Sequence, residues 1–270
     1  MSQARISRIG QVMVYTGKCF RVFMNEKGWK TFISSAIIAI VITWVIGGDM
    51  FVKPGDTRSG AFALICACIW IGVFNSIRSV CRERAIIKRE HRTGLRISSY
   101  IAARMIYEMA ISLIQALIMI IILVSVPGFP SQGIIFAAFF EIYITFFLAI
   151  YASDVLGIAV SCVVKTENAA MTAMPFVLII QLVLCGVIFQ LEGAASAIAN
   201  LTISKWGVNA IGSTANINQM LRSEGLPVSM DYDFTAGHIS RLWLTLAVFA
   251  IVYGIIGTVI LKLTIDKDKR

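Results

Sequence analysis

Charge is scarce in this sequence. Asp, Glu, Lys and Arg make up 14% of its 270 residues and apolar types 58%, whereas a water-soluble domain is about one-quarter charged. That much apolar surface excludes a single water-surrounded core and makes lipid the second solvent. Histidine is scarcer still, with only His91 and His238, too few to build a metal site with the scattered cysteines. The six cysteines, at positions 19, 66, 68, 81, 162 and 185, avoid the segments expected to face the exterior, which excludes an exported disulfide framework. Cys66 and Cys68 are two apart on a helix, face different directions, and read as small apolar residues. H-E-x-x-H and G-x-S-x-G are missing. So is the nucleotide-binding G-x-x-x-x-G-K-[ST], because the Gly-Lys at 17–18 lacks the spacing and Cys19 stands where a hydroxyl is needed. There is no internal repeat and no low-complexity tract. Some thirty mostly polar or amphipathic residues precede the first apolar run, so no cleavable signal peptide is expected.

What is present is a series of long apolar runs. Six reach the roughly 20 residues a spanning helix needs: Thr31–Gly47, Gly60–Ile77, Met109–Val126 with a helix beginning near Ile101, Ile134–Val164, Asn168–Leu191 and Leu242–Leu261. The predicted fold is therefore all-α and polytopic, with residues 31–270 forming a six-helix membrane domain and both termini on one side. Basic residues settle the side, since short flanking segments rich in Lys and Arg stay in the cytoplasm. Of the 24 Lys and Arg, 19 fall on the side of the N-terminus and 5 on the other. The expected orientation is N-in and C-in. The same asymmetry accounts for the net charge of +9 as topology, not as a nucleic-acid surface.

Residues 1–30 place Ile6, Ile9, Met13, Phe20 and Phe23 on one helical stripe and Arg5, Arg8, Gln11, Lys18 and Arg21 largely opposite. That is the pattern of a helix lying on the membrane. Pro54-Gly55 suggests a turn in the first outside loop. "PGFP" at 127–130 breaks the chain between the third and fourth helices, and "KTEN" at 165–168 joins the fourth and fifth on the inside. The outside segment 192–240 holds apolar residues such as Leu201, Ile203, Trp206, Val208 and Ile211, which suggest short helices dipping back toward the membrane.

The inside segment 78–104 is the most unusual. Arg82, Arg84, Lys88, Arg89, Arg92 and Arg96 are interleaved with Glu83 and Glu90 and with Ile86, Ile87, Leu95 and Ile97. This predicts a short helix and a turn broken at Gly94, a structured knob that wants a partner.

Here the residues resemble a known family, the membrane halves of the G-type (White-type) ABC exporters with the type V exporter fold. The likeness starts at Gln11 and runs through "RERAIIKREHRTGLRISSYIAARMIYE", similar to that family's coupling-helix region. It continues in "SCVVKTENAAMTAMPFVLIIQLVLCGVIFQLEG", similar to its short loop, fifth helix and small-residue break, and closes with "LTISKWGVNAIG", similar to its re-entrant outside segment. The resemblance implies a dimer, with a second identical or different permease, each half coupled to an ABC ATPase subunit. ATP and Mg would bind that subunit, leaving this chain without a cofactor or catalytic residue. It implies ATPase coupling through Arg82, Glu83, Arg84, Lys88, Arg89, Glu90 and Arg92. It also implies a substrate cavity between the second and fifth helices, lined by Cys68, Ile71, Asn75, Ile179 and Leu182, with Val187 and Ile188 as an apolar plug and Asn75 or Gln181 as orienting groups.

Three carboxylates fall within or at the edge of spans. Glu108 lies i+4 from Arg104, which allows an ion pair. Glu141 and Asp154 share the fourth run, and an Asp at mid-span costs ~2.5–3.5 kcal/mol on the insertion scale. Asp154 sits about 16 Å along the helix from Lys165 at 1.5 Å per residue, so it faces protein or water, either as a contact to substrate or as a packing residue. Glu141, thirteen residues earlier, lies on a nearly opposite face, and the two do not form an acid/base pair.

The reading is a permease subunit of an ATP-driven exporter of a hydrophobic or amphipathic compound (a drug, lipid or membrane-active peptide) in a bacterial inner membrane. A permease for lipid-linked or polysaccharide cargo is the alternative. A membrane-embedded enzyme and a passive channel are the competing classes.

Overall fold

The computed structural model describes residues 7–189 and 192–267. Among these, all regular structure is helical: α1 (Arg8–Asn25), α2 (Lys30–Ile46), α3 (Pro54–Ser76), α4 (Ser79–Arg92), α5 (Ile97–Leu123), α6 (Ala138–Val163), α7 (Glu167–Val183), α8 (Gly193–Ala199), α9 (Ile203–Thr214), α10 (Ile217–Ser223), a 3-10 turn at Met230–Tyr232, and α11 (Ala236–Lys267). The expected stripe positions Arg5 and Ile6 lie outside the described residues.

Four helical stretches are long and apolar enough to cross a bilayer: α3 continued by α4, α5, α6 and α11. A fifth is counted if α1 and α2, bent by 73° at their junction, are taken as one. α2 and α7 have 17 residues each, ~26 Å at 1.5 Å per residue, the short end of what spans. Length and composition thus give four or five spans where the apolar runs suggested six.

α3 and α6 form the centre, buried on most of their circumference. They touch at backbone distance because Gly72 and Gly157 lie between them. A Cβ on Gly72 would strike the Ile150 carbonyl and Ser153, and one on Gly157 would strike Ser76 Oγ. α5 and α11 flank this pair, α2 leans on α5, and α9 inserts between α3, α6 and α11. α9 is buried from Gly207 to Thr214 among these three helices.

Three expectations need correcting. Pro54 is not in a turn but opens α3 at its first turn, where its missing N–H would have no helical partner anyway. The fourth helix begins at Ala138 and not Ile134, so that Glu141 stands in its first turn. The fifth helix ends at Val183 and not Leu191, because the chain turns through Gly186 at φ +78°, a left-handed conformation suited to glycine; Leu191 itself lies outside the described residues.

The bundle has two ends. At one, α1, α4, the start of α5 and the end of α11 share a small apolar cluster containing Val80, Ile87, Leu95, Tyr100, Leu261 and Ile265. Fully burying a side chain such as Ile87, which is 0% exposed, contributes about 1.5–3 kcal/mol, so this end has its own anchor. At the other end, Phe51 packs edge-on against Phe129, and Arg58 reaches the Gly186 carbonyl at 2.6 Å.

Candidate functional site

α4 is the predicted knob, and the structure shows what fastens it. Its N-terminal residue Arg78 supplies no side-chain cap, which would leave the first N–H groups orphaned. Ser161 of α6 replaces the missing cap, accepting hydrogen bonds from Val80 and Cys81 N–H, both at 3.0 Å. Arg84 returns the favour by donating to the carbonyl of Cys162 at 2.5 Å. A cation there also complements the negative end of the α6 dipole. α4 is therefore bolted to the C-terminus of α6 in both directions.

α1 lies across the other side of the knob. Tyr15 donates to Glu90 at 2.6 Å, Lys18 sits 3.7 Å from Glu83, and Arg82 makes a two-pronged pair with Glu26 at 3.1 and 3.2 Å. Burial, then the neighbouring Glu90 carboxylate, pushes the Tyr15 phenol above its ordinary pKa. Gln11 holds the turn after α4, donating to the Gly94 carbonyl and accepting from Arg96 N–H. Glu83 also accepts from Tyr100 of α5 at 3.0 Å. His91 bonds the Leu95 carbonyl through Nδ1 and faces Asp266 of α11 at 3.7 Å through Nε2.

The residues expected to contact an ATPase thus divide. Glu83, Arg84 and Glu90 are half-buried and spent on neighbouring helices, Lys88 is also half-buried and engaged, and Arg82 is exposed but paired. Arg89 and Arg92 are exposed together with Ala85 and Ile86, at spacings i, i+1, i+4 and i+7 that put all four on one face of the helix.

A polar stripe on α5 ties the bundle above the knob. Arg104, Glu108, Ser112 and Gln115 recur at spacings of four, four and three, one face of the helix. Arg104 pairs with Glu108 at 3.4 Å and reaches Cys19 of α1. Ser112 donates to Asp154 of α6 at 2.6 Å. Gln115 donates to Ser35 of α2 and accepts from Asn75 of α3 at 2.9 Å. Glu108 and Asp154 are enclosed at 2% and 0% exposure. Glu141 is equally enclosed but elsewhere, accepting from Ile135 and Phe136 N–H and from Thr214 of α9. The structure does not bring the carboxylates of Glu141 and Asp154 to one partner. Sequence reasoning missed Ser35, Ser112 and Gln115; the spacing along α5 was the available signal.

The expected cavity residues occupy different surroundings. Ile71 and Asn75 line a groove of about 260 Å³ between α2 and α3, with Thr31, Ser35, Trp70 and Phe74. Cys68 lies inside the bundle against Met119. Ile179 and Ile188 are exposed, at 54% and 51%, while Leu182 and Val187 are half-buried. Gln181 is buried and accepts from Ile203 and Ser204 N–H, fastening α9 to α7. Among the described residues there is no cluster of three or more His, Cys, Asp or Glu able to hold a metal. Gly17-Lys18 lie inside helix α1, not in the loop a phosphate cradle requires.

Residues 11–214 match the family described as ABC-2 type transporter. The chain is also similar to an ABC transporter ATP-binding/permease protein of Mycobacterium tuberculosis, 22% identical over 263 residues, which is 90% of this chain and 29% of that protein. The chain therefore spans less than one-third of the length of that relative. With its all-helical bundle and apolar crossing helices, the chain belongs to the ABC-2 type transporter family, as the membrane-embedded permease component of an ABC transporter.

Proposed function

We propose that the chain is the permease half of an ATP-driven exporter for a hydrophobic or amphipathic compound, powered by an ABC ATPase carried on a separate subunit. The M. tuberculosis relative is named for ATP-binding and permease functions together, and this chain aligns with 29% of it. In this reading α2, α3, α5, α6, α7 and α11 are six spans, α1 rests at the membrane surface, and α9 is re-entrant. The basic end faces the cytoplasm, of a bacterial inner membrane, as the positive-inside rule directs.

The observation that carries the reading is the division within α4. A helix whose N-terminus and half its charges are bolted to α6, α1 and α5 moves as a lever with them. Its remaining face of Ala85, Ile86, Arg89 and Arg92 is free to receive an ATPase groove, so closure on ATP would shift α6 and α1 together. A second permease copy packs across α3 and α7, bringing Ile71, Asn75, Ile179 and Leu182 toward a shared cavity and Val187 and Ile188 above it. Cys68 shapes that wall from behind. The mainly apolar lining suits a greasy cargo. Asp154 and Glu108 serve packing, since each is enclosed and bonded within the chain.

The test is co-expression with the candidate ATPase and comparison of wild type with Arg89→Glu/Arg92→Glu. The reading expects the variant to fold, lose ATPase co-purification and lose nucleotide-dependent transport. Undiminished association, or transport without nucleotide, would sink it.

A further inference from the structure

We propose that the cavity at the basic end holds the phosphate headgroup of an anionic phospholipid drawn from the bordering leaflet. The cavity is about 530 Å³ and opens between α1, the turn joining α4 to α5, and α11. Arg8, Arg96, Lys262 and His91 surround it, with Gln11 and Ser98 between them.

Among the described residues, the cations of this end fall into two sets, those held by a carboxylate and those without one, and this cavity gathers three of the second set. Lys18, Arg82 and Arg104 each have a carboxylate within 4.0 Å, and His91 has Asp266 at 3.7 Å. Among the described residues Arg8, Arg96 and Lys262 have none. Three like charges around one concavity repel one another unless an anion sits among them. The rim is also held in shape: Gln11 bonds both Gly94 and Arg96, and Ser99 Oγ bonds the Arg8 carbonyl. α5 begins at the cavity wall with no side-chain cap, which adds the positive end of a long helix dipole to the same space.

A lipid is the source of phosphate that fits the remaining surface. Thr258 and Lys262 line the cavity from α11, and Ile255 and Ile251 continue that stripe one and two turns deeper. Those two are 59% and 58% exposed, so acyl chains hanging from a headgroup in the cavity would lie against them. Ile9 of α1, beside Arg8, is 70% exposed and offers further apolar contact at the rim. A soluble phosphate would gain the head contacts and none of these. Basic pockets between helices at a membrane surface hold anionic headgroups on this same logic.

The experiment counts lipid retained by the purified full chain, using native mass spectrometry after delipidation and addition of phosphatidylglycerol or phosphatidylcholine with identical acyl chains. Phosphatidylglycerol is expected to be held preferentially. Arg96→Gln/Lys262→Gln should weaken that retention about 30-fold and Arg8→Gln, on the exposed surface, about fivefold. Arg96→Lys/Lys262→Arg should restore it. Equal retention of phosphatidylcholine, or full retention by the glutamine variants, overturns the proposal. Glycerol phosphate in solution should bind far more weakly; if it matches the lipid, the cavity serves a soluble phosphate compound and the lipid assignment falls. Should Arg96→Gln/Lys262→Gln misfold, Arg8→Gln alone decides.

Discussion

Replacing Tyr15 by Phe deletes one hydroxyl and leaves the ring packed edge-on against Tyr100 at 5.9 Å between centroids. What is lost is the 2.6 Å hydrogen bond to Glu90. Hydrogen bonds to charged groups contribute ~1.5–3 kcal/mol, and the partial exposure of this one places it at the lower end. A loss of ~1.5 kcal/mol raises the local opening constant about tenfold. Amide exchange at Glu90, His91 and Arg92, in the last turn of α4, should quicken by that factor. Arg82→Ala removes a geometrically better-looking two-pronged pair, but its partners are 58% and 51% exposed. Exposed pairs contribute ~0–1 kcal/mol, so exchange should change less than about fivefold. Glu90→Ala completes a double-mutant cycle, and the Tyr15→Phe/Glu90→Ala chain should exchange about as fast as Glu90→Ala alone. Unchanged exchange in Tyr15→Phe, or a larger effect from Arg82→Ala, would refute the claim that the half-buried Tyr15–Glu90 bond secures α1 to the knob.

Gly157→Ala should lower unfolding stability in detergent by ~1–3 kcal/mol through overpacking, because its Cβ meets Ser76 Oγ; Gly157→Ala/Ser76→Ala should recover part of the loss, and an unaffected single variant would contradict the close α3–α6 contact. Ser112→Ala strips Asp154 of a donor at 2.6 Å and should cost ~1–3 kcal/mol, measured by thermal unfolding, while Ser112→Thr should cost less. High pH should loosen α1 from α4: burial and Glu90 raise the docked Tyr15 pKa, so its contribution is complete below the undocked value near 10 and fades as pH rises beyond it. Exchange in α4 measured across pH 9 to 11, corrected for intrinsic rates, should show that fading in wild type and not in Tyr15→Phe.

The helices that the sequence reveals best are those whose ends are marked by charge. Lys30 opens α2, one residue before the expected Thr31, and α5 begins at Ile97, four residues before the expected Ile101; water and lipid sort such boundaries to within about a turn before any tertiary contact forms. α7 was harder to end. The apolar run continues through Leu184 and Ile188, and hydropathy does not register the left-handed Gly186 that stops the helix. Pro54 misled for a related reason, since proline breaks a helix interior and suits a helix start equally well.

At the site, the basic knob, its glycine break and the Arg104–Glu108 pair could be read from spacing alone. The division of labour within the knob could not. Arg84 and Arg89 look alike in the chain, and only the arrival of the α6 terminus beside α4 makes one a cap and leaves the other exposed. Ser35, Ser112 and Gln115 are uncharged residues inside apolar runs, so their joint role emerges only when α2, α3 and α6 converge on α5.

The central claim is that the outward face of α4 is where an ATPase pushes. A photo-crosslinking residue in place of Ile86, which is 40% exposed, tests it in intact cells. The account predicts a covalent adduct whose partner mass spectrometry identifies as an ABC ATPase, and no such adduct from Val228 at the opposite end. Labelling of Ile86→Cys by a membrane-impermeant thiol reagent from outside the cell, with no ATPase adduct, would contradict it.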